Sequence, residues 1–325
     1  MRALSRGVAA LILGVAGLAC AEPRFDIDGA RAHRRVVFQV DAGSRVPGTS
    51  GHTKVVDWIA AELERAGGRV ERQRFTDSTL GTREELVNVI GHFGVARNSV
   101  HGALVLCAHY DSRPFADQDP DSARRNDLVP AANDGGSGVA VLLEIADLLA
   151  WKPAPCPVDL VFFDGEDQGR NDAPETFSRG ARGYAARLGS PKPRGAILFD
   201  MVGDRDLAIY TEGFSVERAS NLTDLVLEAA RSVGASHFHP DTRHHVIDDH
   251  IPLLTPASRR WISSISTTRR GTPPTISPIR SRRRASPRSR AWRPGWSIAA
   301  RSHDFRSRVQ RLDGRWLRAL RLPAT

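Results

Sequence analysis

Two apolar periods alternate along the chain from Asp28 to Gly234. Residues 52–68, "HTKVVDWIAAELERAGG", put Val55, Val56, Ile59, Ala60 and Leu63 on one helical face and stop at Gly67–Gly68, a helix terminator. "RVERQRF" follows with the period of a strand. "LVNVIGHFG", "ALVLCAHY", "VDLVFF" and "GAILFDMVG" are short apolar runs without alternation, as expected of strands covered on both faces. "SGVAVLLEIADLLA", "SRGARGYAARLG" and "SNLTDLVLEAARSVG" have helical spacing. The order predicts an α/β domain with a mostly parallel central sheet and helices on both faces.

Polar residues collect where the apolar runs end. "VLCAHYDSRP" closes a strand with His109 and Asp111, two apart and so on one face. "ANDGGSGVAVLLE" puts Asp134 in a glycine-containing loop before a helix. "VDLVFFDGEDQGR" ends in Asp164, Glu166 and Asp167, "AILFDMVGD" in Asp200 and Asp204, and "HHVIDDHIPLL" brings Asp248, Asp249 and His250. Singly, each has a plain structural explanation: a strand-end Asp caps a helix, a Glu–Asp pair faces water, a lone His bonds to backbone. Jointly they predict one cleft, because open α/β sheets bind ligands outside the carboxyl ends of their strands. Imidazole mixed with carboxylates suits zinc.

In order and spacing, "SRVPGTSGH", "HYDS", "NDGGSGV", "FFDGED", "LFDMVGD" and "DDHIPLL" resemble the zinc aminopeptidases and their glutaminyl cyclase relatives, from about Phe25 to Leu254. The resemblance implies one or two zinc ions at the strand C-termini and peptide or protein N-termini as substrates. In the two-metal members, His109 and Asp200 would hold one ion, Asp167 and a late histidine the other, with Asp134 bridging. Glu166 would be the general base, and Asp249 would orient His109. In the cyclase branch a single zinc sits at Asp134, Asp167 and the late histidine, Glu166 shuttles a proton, and Asp200 and Asp249 join its hydrogen-bond network. "FFDGED" and the doubled Asp before His250 favour the cyclase branch, which converts N-terminal glutamine to pyroglutamate. The alternative is an aminopeptidase.

Charge divides the chain at Thr255. Residues 256–325 hold eighteen Arg, no Lys and two acids, a balance of +16; the whole chain carries +9, so residues 1–255 carry −7. As selected protein, such a tail would bind a polyanion. The resemblance points elsewhere, because after "DDHIPLL" the family continues with a buried strand and a "WHT"-like segment supplying the late histidine. Back-translating residues 256–286 and restoring one base ahead of them yields AGVPAVDLIDLDYPAWHTADDLADKVS, which contains both. The codons chosen are not unique, but Trp261 followed by Ile262 forces an aspartate codon in that frame. The tail is therefore expected to be out-of-frame translation, with no packed structure of its own, and neither nucleic acid nor a membrane span is expected.

At the other end, "MRALSRGVAALILGVAGLACAEP" has two arginines, an apolar run from Val8 to Leu18 and small residues before Glu22. This predicts a secretory leader over residues 1–21 and a periplasmic or extracellular protein. Cys20 offers a lipoprotein anchor as an alternative, although Gly17 stands where a leucine-like residue is preferred. The expected catalytic domain is residues 22–255. Export would permit a Cys107–Cys156 bond; the pattern leaves it open, along with oligomeric state.

Overall fold

The computed structural model describes residues 27–94, 102–254 and 262–266, the last as backbone only. The predicted leader with Cys20, and all of the tail except 262–266, lie outside the described residues. Six strands form the main sheet: β1 (Arg69–Asp77), β2 (Glu84–Phe93), β3 (Leu104–His109), β4 (Val158–Phe163), β5 (Gly195–Asp200) and β8 (Ile262–Ser266), in the order β1-β2-β4-β3-β5-β8. The pairs β3–β4, β3–β5 and β5–β8 are parallel, whereas β1–β2 and β2–β4 are antiparallel.

The sheet is therefore mixed, which corrects the mostly parallel expectation. For β1–β2 the cause is local: only residues 78–83 separate the two strands, and a connection that short can make a hairpin but not a crossover. A second correction concerns the tail. Ile262–Ser266 pairs with β5 from Ala196↔Ile262 to Asp200↔Ser266, so this stretch has a place in the sheet and β5 is not its edge.

Helices cover both faces. On one side lie α1 (Gly29–Asp41), α2 (Ser50–Arg65) and α3 (Gly136–Trp151). Val55, Ile59 and Leu63 of α2 and Val139, Leu142 and Leu143 of α3 pack there against Val89, Leu106, Leu160 and Phe162. On the other side, α4 (Arg179–Ala186), α5 (Gly213–Ser232) and α6 (His250–Leu253) set Ala181, Tyr184, Ala219 and Leu253 against Val105, Cys107, Val161 and Leu198. β6 (Ile209–Glu212) and β7 (Phe238–His244) make a separate parallel pair. Cys107 belongs to the second core and Cys156 packs on the first, so the sheet separates them; both thiols are free. No helix among the described residues is long and apolar enough to cross a membrane.

Candidate active site

The register brings the polar strand ends level. His109 pairs with Phe163, immediately before Asp164, and Cys107 pairs with Leu198, two residues before Asp200. Asp134 arrives from the loop ahead of α3. At Gly135 the backbone has φ +72°, and a β-carbon there would lie 2.8 Å from His109 Cε1, so only glycine lets the imidazole lie against this loop. Ser137 Oγ accepts from Val202 N–H (2.9 Å), and Asn133 Oδ1 accepts from Gly203 N–H (2.7 Å). Those two bonds stitch the Asp134 loop to the residues just past Asp200.

His109 is buried, with Nε2 3.0 Å from Asp134 Oδ1 and 3.4 Å from Asp200 Oδ1. Its Nδ1 is 3.3 Å from Asp111 Oδ1. One ligand atom from each of His109, Asp134 and Asp200 fits within 4.8 Å of the others, the one such group among the described residues. The surroundings suit a cation. Burial opposes the charge on His109, but Asp111, Asp134 and Asp200 push its pKa well up, so Nε2 carries a proton whose place a cation among these carboxylates would take. Asp200 Oδ1 is buried and has no hydrogen-bond partner among the described residues. Zinc bonds of about 2.0–2.2 Å would bring such donors to roughly the observed spacing. The residues present therefore fit zinc.

Asp111 joins this group to the next loop. Its carboxylate accepts the N–H of Glu166 (3.1 Å) and of Asp167 (3.0 Å) and the Gln168 side-chain amide (2.9 Å). Burial alone would raise its pKa, but those bonds and His109 hold it down to about 2. The resemblance assigned the orienting of His109 to Asp249. The structure gives that place to Asp111, because strand geometry already sets residues 109 and 111 on one face. Asp249 is fully buried, and both of its carboxylate oxygens lack a hydrogen-bond partner among the described residues.

The carboxylates perturb one another. Burial pushes Glu166 well above the usual range, offset in part by His109 and reinforced by Asp167 and Asp249. Burial and then Asp134 push Asp167 up, while Arg113, 3.5 Å from its Oδ1, pulls the other way. Asp248 rises to about 6, through burial and then Asp200. Glu166, Asp167, Asp200 and Asp249 thus lie near enough to His109 or to each other to interact. Asp134 lies near enough to Asp167 to act on its carboxylate, but among the described residues no histidine completes a ligand group with the two.

The motif reading gave no role to Arg45, His52 or Arg113. His52 Nε2 lies 3.0 Å from Asp164 Oδ1 and 3.1 Å from Tyr110 Oη. Arg45 fell inside "SRVPGTSGH", yet a lone arginine before a turn carries no periodic signal.

A family profile described as Peptidase family M28 matches residues 88–267, more than half of the chain. The chain belongs to this family. Among curated members it is similar to the glutaminyl-peptide cyclotransferase of Bothrops jararaca, 28% identical over 246 residues, covering 65% of this chain and 64% of that protein. The chain thus spans just under two thirds of that relative's length. Among solved structures it resembles the glutaminyl cyclase of Tannerella forsythia (33% identity, TM-score 0.70, 77% of this chain and 87% of that one). A Zn-dependent exopeptidase from Parabacteroides distasonis is as similar (32% identity, TM-score 0.69, 76% and 85%). One solved glutaminyl cyclase and one solved Zn-dependent exopeptidase are thus similar to this chain to nearly the same degree.

Proposed function

We propose that this M28 chain is a zinc-dependent enzyme acting on peptide and protein N-termini, cyclising N-terminal glutamine to pyroglutamate. The observation that carries the reading is the buried His109 Nε2 facing Asp134 and Asp200, with the backbone of Glu166 anchored on Asp111. His109, Asp134, Asp167 and Asp200 are the candidate metal ligands, and a bound zinc would supply Lewis acidity to the scissile carbonyl. In cyclisation the α-amine attacks the γ-amide carbon, a C–N bond forms, and ammonia leaves. Glu166, which lies outside the three-donor group, is placed to take the amine's proton and return it to the leaving group. Asp249, whose oxygens have no hydrogen-bond partner among the described residues, would stand behind that transfer.

A second reading has its own observation. His109, Asp134 and Asp200 make up one complete metal position of the two-zinc aminopeptidases, so the same Glu166 would instead activate water. The two separate on one assay: zinc-loaded protein is given a glutaminyl peptide and a leucyl peptide. Ammonia release from the first is expected; liberated leucine from the second without ammonia would establish hydrolysis instead. In either case Glu166→Gln should lower kcat by about 10²–10⁴ with zinc still bound. Export through residues 1–21 and out-of-frame translation after Thr255 belong to the same proposal.

A further inference from the structure

The Asp134 loop and the end of β3 are far apart in sequence, and one side chain fastens them together. Arg45 is fully buried. Its Nε donates to Tyr110 O (2.7 Å), Nη2 to Ala131 O (2.7 Å), and Nη1 to Pro130 O (3.2 Å) and Gln39 O (3.4 Å). Its backbone N–H donates to Ser112 Oγ (3.0 Å). Tyr110 lies between His109 and Asp111. Ala131 stands three residues ahead of Asp134 with φ +50°, a left-handed conformation that alanine seldom adopts without outside support.

The acceptors explain why this residue is an arginine. All four are neutral carbonyls, and among the described residues no carboxylate reaches the guanidinium directly; Asp111, Asp134 and Asp167 act on it only across space. A buried charge without a contacting counter-ion costs stability. What arginine offers in return is a rigid planar fork that reaches several carbonyls at once.

We propose that Arg45 is a positioning residue of the metal site, clasping the Ala131 turn to the end of β3 and so setting Asp134 against His109. This rests on the zinc reading above. Its two physical effects on a bound cation have opposite signs. Removing a positive charge near the carboxylates would tighten zinc, whereas releasing the clasp would loosen it.

The test measures zinc Kd by chelator competition on the full chain, beside thermal unfolding of the metal-free form. Arg45→Met removes charge and donors, and Arg45→Lys keeps the charge on one nitrogen in place of three. Expected is a zinc Kd raised about 10–100-fold in the Met variant, the range for residues behind metal ligands, and a smaller rise in the Lys variant. Equal or tighter zinc in the Met variant overturns the proposal. So does a lower unfolding temperature with unchanged Kd, which would mean a role in folding alone. If the Met variant does not fold, an unchanged Kd in the Lys variant overturns it. A wild-type chain that takes up no zinc sinks the zinc reading and this with it; wild-type binding with indifferent variants sinks this alone.

Discussion

At the residue scale the chain repeatedly uses one carboxylate to satisfy several donors, and at Glu212 this makes stability depend on pH. Glu212 caps α5, accepting from Phe214 N–H (2.9 Å), Ser215 N–H (2.7 Å) and Val246 N–H (3.2 Å), and lies 3.1 Å from His250 Nε2. Burial would raise its pKa, but the His250 contact and the backbone donors bring it down from 4.5 to about 2. A carboxylate with a depressed folded pKa contributes stability that is complete above its unfolded value and is lost as the pH falls toward the folded one. Glu212 should therefore steepen the loss of stability between pH 4.5 and about 2. Glu212→Gln should flatten that limb while lowering stability at neutral pH. Denaturant midpoints across the interval check this; parallel wild-type and variant curves would refute it.

At the element scale, α3 and β5 are set by contact. Gly138 in the first turn of α3 lies so close to β5 that a β-carbon would collide with the Phe199 carbonyl oxygen and meet Ala108 Cβ at 2.8 Å. Gly138→Ala must push the helix off the sheet, at roughly 1–3 kcal/mol for an overpacked core position. Because Ser137 is bonded to Val202, the same shift should move Asp134 relative to Asp200 and weaken zinc binding. Calorimetry with zinc titration would show both losses; a stability loss alone would uncouple α3 from the site. Runs such as "VDLVFF" and the Val55–Leu63 face were legible because burial there is apolar and periodic. The α1 helix was not, since its buried positions are Arg35 and Gln39. Arg35 is buried through its ion pair with Glu144 (2.7 Å), which hydropathy cannot show. His109 and Asp200 were legible as chemistry at the ends of apolar runs, and Asp134 as an acid in a glycine-containing loop opening a helix. Arg45 was not, because it acts on backbone carbonyls, which carry no sequence signal.

At the scale of the whole molecule the division at Thr255 remains the decisive feature, with −7 before it and +16 after it. The Ile262–Ser266 strand beside β5 shows that five residues past the division still fit a sheet position, and the family match runs on to residue 267. A five-residue β pairing is a weak criterion of design, since isoleucine favours a strand in whatever segment it occurs. A metal ligand is a strong one, and in the proposed restored frame a "WHT" segment would supply the imidazole that Asp134 and Asp167 lack among the described residues. Two carboxylates with water hold zinc less tightly than the same pair with histidine. The chain as given should therefore bind zinc through His109, Asp134 and Asp200 at most. The form with one base restored ahead of codon 256 should bind it more tightly and turn over glutaminyl peptide faster. Expressing both forms, with zinc affinity and ammonia release measured on each, decides the matter. If the chain as given matches the restored form in both, the late histidine is dispensable and the tail must be read as selected protein, with a polyanion as its partner.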